Sequence, residues 1–169
     1  MIIISDTSPI NYLVLIGEIN ILAKLFGRVL IPAAVLAEFH HPGTPKQVTD
    51  WADSSPAWLE VHTASPAFLA QVKKLGAGER EAIALALELQ ANAVLIDERK
   101  GTKEARINKL LVLGTLAILE RAGEMEYLDF PTALTQLRQT NFRFPPPDVM
   151  QQMLDRDTLR KQSKGTPQT

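Results

Sequence analysis

The chain contains no cysteine. A disulfide framework and thiolate chemistry are therefore excluded, and the composition suits a reducing, cytoplasmic setting. Histidine is scarce. His40, His41 and His62 are the only three, and none has a partner at structural-zinc spacing. Aromatic residues make up only 6 % of the sequence, so the core must be built mainly from aliphatic side chains. No apolar run approaches the roughly 20 residues of a membrane-spanning helix. Met1 leads directly into an apolar segment without a basic n-region, so neither a span nor a signal peptide is expected. There is also no excess of either charge: 18 Lys and Arg stand against 19 Asp and Glu, for a net charge of −1. Bulk electrostatics does not mark a polyanion binder, so any such role must rest on local basic patches. Finally, Gly76-Ala77-Gly78 is too short for a Walker or dinucleotide loop and lacks the following Lys-Ser/Thr.

The 169 residues, 46 % of them hydrophobic, suffice for one domain with a sizeable core. Short β-branched runs alternate with helical patterns, which predicts an α/β fold with a mainly parallel sheet. Strands are expected at Ile2–Ile4, Val29–Ile31, Trp58–Val61, Val94–Ile96 and Leu111–Leu113, with a short edge strand at Phe142–Phe144. Helices are expected at Pro9–Ile16, Ile19–Phe26, Pro32–Glu38, Gln47–Ala52, Pro66–Lys74, Glu79–Gln90, Lys103–Leu110, Thr115–Ala122, Pro131–Gln139 and Asp148–Leu154. The folded domain is read as residues 1–155. Residues 156–169 are read as a polar, disordered tail.

Asp6 follows the first apolar run and precedes Thr7-Ser8-Pro9, where a hydroxyl and a proline signal the start of a helix. A carboxylate there hangs at the carboxyl end of a strand, the usual ligand crevice of open α/β sheets. Three further acids hold comparable places. Glu38 lies late in the helix after the second strand, Glu81 in the first turn of the Glu79 helix, and Asp97 at the close of strand Val94–Ile96. Strands that run parallel share a carboxyl edge, so Asp6 and Asp97 could meet there. Converging carboxylates repel one another unless a cation is present. Oxygen donors of this kind select Mg²⁺ or Mn²⁺ over zinc and suit phosphoryl chemistry.

Each acid also has a plain structural use. Asp6 could cap a helix, Glu79 and Glu81 could favour a helix N-terminus, Glu38 could be solvated, and Asp97 and Glu98 could be turn residues. Ser8 is the favoured cap, which would leave Asp6 free, and Thr7 could bond a phosphate or a water. Basic residues cluster beside the acids: Lys73, Lys74 and Arg80 near Glu79, and Arg99, Lys100, Lys103, Arg106 and Lys109 after Asp97. They could rim a site for a phosphate backbone, or form an ordinary solvated helix face.

Four segments carry a resemblance: residues 3–9 (IISDTSP), 31–38 (IPAAVLAE), 75–86 (LGAGEREAIALA) and 95–101 (LIDERKG). In order and spacing they resemble PIN-domain proteins, in particular the small prokaryotic VapC-like toxins. The Leu113-Gly114-Thr115-Leu116 turn and the segment from Leu137 to Phe144 add to the likeness, which covers about residues 2–155. The resemblance implies a PIN-like three-layer α/β fold, with a central, mainly parallel sheet flanked by helices. It implies an Mg²⁺- or Mn²⁺-dependent endoribonuclease, the toxin of a type II toxin–antitoxin pair. Asp6, Glu38, Glu81 and Asp97 would be the catalytic and metal-binding acids, with Thr7, Ser8, Glu79 and Glu98 as secondary candidates. Glu81 is preferred to Glu79 because its distance to the next strand fits the family better. Arg80, Arg99, Lys100 and Lys103 would contact RNA. In-line attack on phosphorus would leave a 5′-phosphate and a 3′-hydroxyl. A small antitoxin and a homodimer are the implied protein partners, the latter permitted by the apolar stretches between Ile10 and Phe26. Two other readings remain: a non-catalytic PIN-fold module that binds RNA or protein, and an aspartate-dependent phosphoryl-transfer enzyme. The second lacks an Asp two residues after Asp6, where Ser8 stands.

Overall fold

The computed structural model describes residues 1–165. Five short strands form one sheet: β1 (Ile3–Ser5), β2 (Val29–Pro32), β3 (Leu59–His62), β4 (Ala93–Leu95) and β5 (Val112–Leu113). The spatial order is β3-β2-β1-β4-β5, and every pairing is parallel. The chain builds outward from β1 to β2 and β3, then returns to the other side of β1 for β4 and β5. The winding therefore reverses between β1 and β4. Ser5 pairs with Leu95 at that seam, and the Asp6 N–H extends it by donating to Leu95 O at 2.9 Å.

Helices flank the sheet: α1 (Thr7–Leu15), α2 (Ile21–Phe26), α3 (Ala33–Phe39), α4 (Lys46–Asp53), α5 (Pro66–Leu69), α6 (Ala77–Glu88) and α7 (Arg99–Ile107). α6 packs on β1, β2 and β4 and touches α3, α5 and α7. Its run from Glu81 to Ala86 is wholly buried, as the wide apolar face of that segment implies. Ile4, Leu30 and Val94 from the strands, with Ile96 just after β4, meet Ile83, Leu85 and Ala105 in one aliphatic core. The apolar stretch between Ile10 and Phe26 is largely spent on burial within this unit: Ile10, Leu13, Ile21 and Leu22 are at most 2 % exposed. Leu15, Ala23, Leu25 and Phe26 of the same stretch are half-buried.

The chain divides into two compact units, Met1–Thr115 and the residues from Leu116 onward. The second holds α8 (Thr115–Glu124), α9 (Phe130–Leu137) and α10 (Pro147–Lys164). Asp129 caps α9 by accepting the Thr132 N–H at 3.1 Å. Asp157 is buried and pairs with Arg160 at 2.7 Å and Lys161 at 2.8 Å. Among the described residues no helix is long and apolar enough to cross a membrane.

Several elements differ from the sequence expectation. α1 begins at Thr7, so Asp6 holds the N-cap position and Ser8 falls inside the first turn, and no side chain caps the helix. α5 stops at Leu69 instead of reaching Lys74, because the chain turns there and the Lys73 N–H goes to Glu104 at 3.4 Å. α6 begins at Ala77, with Gly76 at the N-cap and Gly78 inside the helix. α7 begins at Arg99 rather than Lys103, its first turn closed by the Thr102 N–H donating to Glu98 O at 2.8 Å. Residues 142–144 form no strand. The prolines at 145–147 remove three consecutive N–H donors. Phe142 and Phe144 instead meet edge to face at 5.0 Å, with the Arg138 guanidinium over Phe144. α10 runs on to Lys164 rather than ending at Leu154, so residues 156–164 of the expected tail are helical. Its acids and bases pair along and beyond the helix: Arg156 with Glu120, Arg160 with Asp157, and Lys164 with Glu126. Residues 166–169 of that tail lie outside the described residues.

Candidate active site

Asp6 and Asp97 follow the neighbouring strands β1 and β4, at the carboxyl edge where the winding reverses. In open α/β sheets this switch point is where ligands bind. Asp6 is 3 % exposed. Its carboxyl is pushed up to about 7, chiefly by burial. The Thr7 backbone N–H opposes that rise, while the charges of Glu79, Glu38 and Asp97 add to it. Asp6 therefore senses three other carboxylates, each delivered by a different element.

Glu38, near the end of α3, reaches back to the first turn of α1, where the Thr7 hydroxyl donates to its Oε2. Its Oε1 accepts the Gly78 N–H at 2.9 Å. Position 78 has no room for a side chain, since a Cβ there would lie 2.7 Å from Glu38 Oε1. Alanine is intrinsically better in a helix by about 1 kcal/mol. Gly78→Ala is nonetheless expected to lower the urea midpoint, the overpacking costing roughly 1–3 kcal/mol. A raised midpoint would show that Glu38 swings aside freely and is not held in place.

Glu79 lies one residue further along α6. Burial lifts its carboxyl above the usual range, and the nearby charges of Glu98 and Glu38 add to the lift. The Gly76 N–H and Lys100 pull the other way. Gly76 and Gly101 flank this side chain, and a Cβ on either would make ordinary van der Waals contact with it at 3.5 Å. Asp97 is likewise raised by burial, against two hydrogen bonds from Thr115. Those bonds run from the Thr115 N–H to Oδ1 and from its hydroxyl to Oδ2, both at 2.7 Å.

Glu81 is placed differently. Its Oε2 accepts the Ala34 N–H at 2.8 Å, and its Oε1 accepts the Ala64 N–H at 3.2 Å. The first of these bonds satisfies an otherwise unpaired amide in the opening turn of α3. Both oxygens of Glu81 thus serve the main chain, and of Glu79 and Glu81 it is Glu79 whose charge reaches Asp6. Ser8 neither caps α1 nor joins the acids. Glu98 occupies the N-cap of α7 and faces Glu79. Of the basic candidates, Arg80 turns to α5 and donates to Leu69 O at 2.8 Å, its Nε buried without a partner. Arg99, Lys100 and Lys103 are exposed along α7. Thr115 was not among the sequence candidates. Its signal is a hydroxyl residue directly after a strand and a glycine, the usual opening of a helix.

Among the described residues, no group of three or more His, Cys, Asp or Glu side chains is gathered tightly enough to hold a metal ion as it stands. Glu38 is drawn toward Thr7 and Gly78, and Asp97 toward Thr115. The donor chemistry still fits a hard divalent cation. The donors are all oxygen, and the like charges of Glu79, Glu38 and Asp97, which add to the effect of burial on Asp6, are ones a cation would neutralise.

Strand order, the seam between β1 and β4 and this group of acids define a PIN-type α/β protein. A PIN-domain family model matches residues 2–158, and the chain belongs to the PIN-domain family. No curated protein matches it in sequence. Among solved structures it is similar to a chain of VapBC2 from Rickettsia felis, crystallised bound to a DNA fragment from the promoter. The TM-score is 0.52 at 18 % identity, over 68 % of this chain and 98 % of that one. At that identity the likeness is one of fold.

Proposed function

We propose that this protein is a divalent-metal-dependent endoribonuclease and the toxin of a toxin–antitoxin pair. The observation that carries this reading is the meeting of Asp6 and Asp97 at the sheet's switch point, with Glu38 and Glu79 brought to the same edge by α3 and α6. Membership of the PIN family supports nuclease chemistry. The fold shared with a chain of the VapBC2 complex supports a small antitoxin as partner. Asp6, Glu38, Glu79 and Asp97 are the residues that would hold Mg²⁺ or Mn²⁺, with Glu79 in the place first given to Glu81. The ion would supply charge neutralisation and Lewis acidity for phosphodiester hydrolysis. The chain's own part is to bury Asp6, to hold Glu38 through Thr7 and Gly78, and to hold Asp97 through Thr115.

The test is cleavage of an end-labelled RNA by purified protein with Mg²⁺, Mn²⁺ or EDTA. Cleavage is expected with either metal and not with EDTA. Cleavage that survives EDTA would overturn the metal-dependent reading. Retention of intact RNA without cleavage in any metal would favour the binding-module reading. That alternative draws on the hydrogen bonds that already occupy Glu38 and Asp97.

A further inference from the structure

β3 lies at an open edge of the sheet, hydrogen-bonded to β2 alone. The Val29 N–H donates to Trp58 O at 3.0 Å, and Val29 stands opposite Leu59. Main-chain groups alternate in direction along a strand, so those of Glu60 and His62 serve β2. The N–H and C=O of Val61 therefore point outward, away from the sheet. The Leu59 N–H, on the same side, is taken back into a turn by Pro56 O at 3.0 Å. Neither proline nor lysine blunts this edge: Val61, His62 and Thr63 are exposed, Val61 at 47 %. The opposite edge is blunted by its length, since β5 has two residues. A β-branched residue with outward-facing main-chain groups thus stands at the centre of one exposed strand edge.

We propose that this edge pairs with the β3 edge of a second copy of the chain, antiparallel and centred on Val61, so that the two sheets run on as one. The order Glu60-Val61-His62 selects that occupant. About a two-fold axis residue i meets j and j meets i. Val61 then faces its own counterpart, and the two exchange both main-chain bonds. Glu60 faces the second copy's imidazole at 62, and His62 the second copy's carboxylate at 60. These are non-hydrogen-bonded positions, where opposed side chains lie closest. The two groups already fit each other within one chain, where His62 Nε2 lies 3.1 Å from Glu60 Oε2. A parallel arrangement of the two edges would set Glu60 against its equal. A foreign strand would have to offer a donor opposite Glu60 and an acceptor opposite His62, two residues apart. The second copy supplies both. Edges of four residues make a small contact, at the weak end of specific association. The axis stands across the sheet, so the two carboxyl edges, each with its Asp6 and Asp97, face opposite ways. β1 lies two strands inward, about 10 Å from β3, and the acids stay open. The pairing therefore stands apart from the nuclease reading.

The experiment is sedimentation velocity on the full-length protein from about 1 to about 500 µM, the span in which a small contact dissociates. A concentration-dependent dimer is expected, with hydrogen exchange over residues 59–63 slowing as the dimer fills. Val61→Lys sets two like charges face to face without touching the bonds to β2. It is expected to raise the dimer Kd at least about tenfold at an unchanged urea midpoint. Two further variants read the register. His62→Glu sets acid against acid, and Glu60→Lys sets a cation against an imidazole, so each alone should dimerise less than the wild type. Mixed in equal amounts they should recover a dimer, because the hetero-pair opposes unlike groups at both positions. A protein monomeric throughout the range overturns the proposal. So does a dimer that survives Val61→Lys undiminished, which would place the contact on another face. Single variants that dimerise as the wild type does, or a mixture that stays monomeric, overturn it as well. A monomer whose exchange at 59–63 slows only with a co-purified protein bound would give the edge to a foreign strand and overturn the second copy as its occupant.

Discussion

Asp6→Asn is expected to stabilise the metal-free protein while cutting the proposed RNA cleavage about a thousandfold. The wild-type carboxyl is raised from 3.8 to about 7 in the folded state. Between those values the native state holds a proton that the unfolded chain has released. Stability contributed by that proton is fully present below pH 4 and is lost as pH rises through 7. The buried charge then costs up to about 4 kcal/mol at neutral pH. Asparagine keeps the shape and removes the charge. In EDTA at pH 7.5 the variant should exceed the wild type by about 2–4 kcal/mol in urea unfolding, or roughly 5–15 °C in Tm. The difference should shrink through pH 5.5 and vanish near pH 4. Coincident stability at all three pH values would mean that burial and the neighbouring carboxylates do not raise the Asp6 carboxyl. Added Mn²⁺ should reverse the order, since a ligand that binds only the native state stabilises in proportion to its site. At a hundredfold excess over Kd the wild type gains about 2.7 kcal/mol and the variant little. RNA cleavage should fall by about a thousandfold, equivalent to about 4 kcal/mol of lost transition-state stabilisation.

Much of this site is written in local sequence. Ile2-Ile3-Ile4 before Asp6 and Val94-Leu95-Ile96 before Asp97 are β-branched or aliphatic runs too short for helices. A parallel α/β pattern places their ends on one edge, so the sequence allows Asp6 and Asp97 to meet without fixing that they do. The structure adds what periodicity does not carry. β1 and β4 are adjacent because the winding reverses there, a fact of connectivity across nearly ninety residues. The start of α7 is also hidden. Arg99-Lys100-Gly101 reads as a break, since glycine is a poor helix former, yet Gly101 lies inside α7, where a Cβ would come within 3.2 Å of Ile96 Cγ2. The basic row of α7 is thus divided in the sequence between a turn carrying Arg99 and Lys100 and the expected helix Lys103–Leu110, which holds Lys103 and Arg106. α5 was overextended for the converse reason. Its residues favour helix locally, but a contact from Lys73 to Glu104, 31 residues away, turns the chain.

The largest structural penalty is expected at Glu81, and the contrast with Glu79 decides which acid serves the site. The two residues are two apart on α6, about 200° around the helix, so they face opposite ways. Sequence spacing alone leaves either one eligible. Their surroundings separate them. Glu81 is 7 % exposed and accepts main-chain N–H groups 47 and 17 residues away, from Ala34 and Ala64. Glu79 is half-buried among glycines, and its charge reaches Asp6. Glu81→Ala strands two amides and leaves a void, at an expected cost of about 3–5 kcal/mol. That is a large share of the 5–15 kcal/mol that holds a typical domain together. Its urea midpoint should drop sharply, and any lost cleavage should track the fraction unfolded. Glu79→Gln should fold at least as stably as the wild type in EDTA, because it removes a charge opposed by Glu98 and Glu38. Its cleavage should nevertheless fall about a hundredfold or more, in line with the loss of one positioned electrostatic group. A Glu79→Gln protein with full cleavage, beside a stable Glu81→Gln protein with none, would return the catalytic role to Glu81. The opposite pattern makes Glu81 the strut that ties α3 and the chain after β3 to α6. Glu79 is then free to complete the acid group around Asp6.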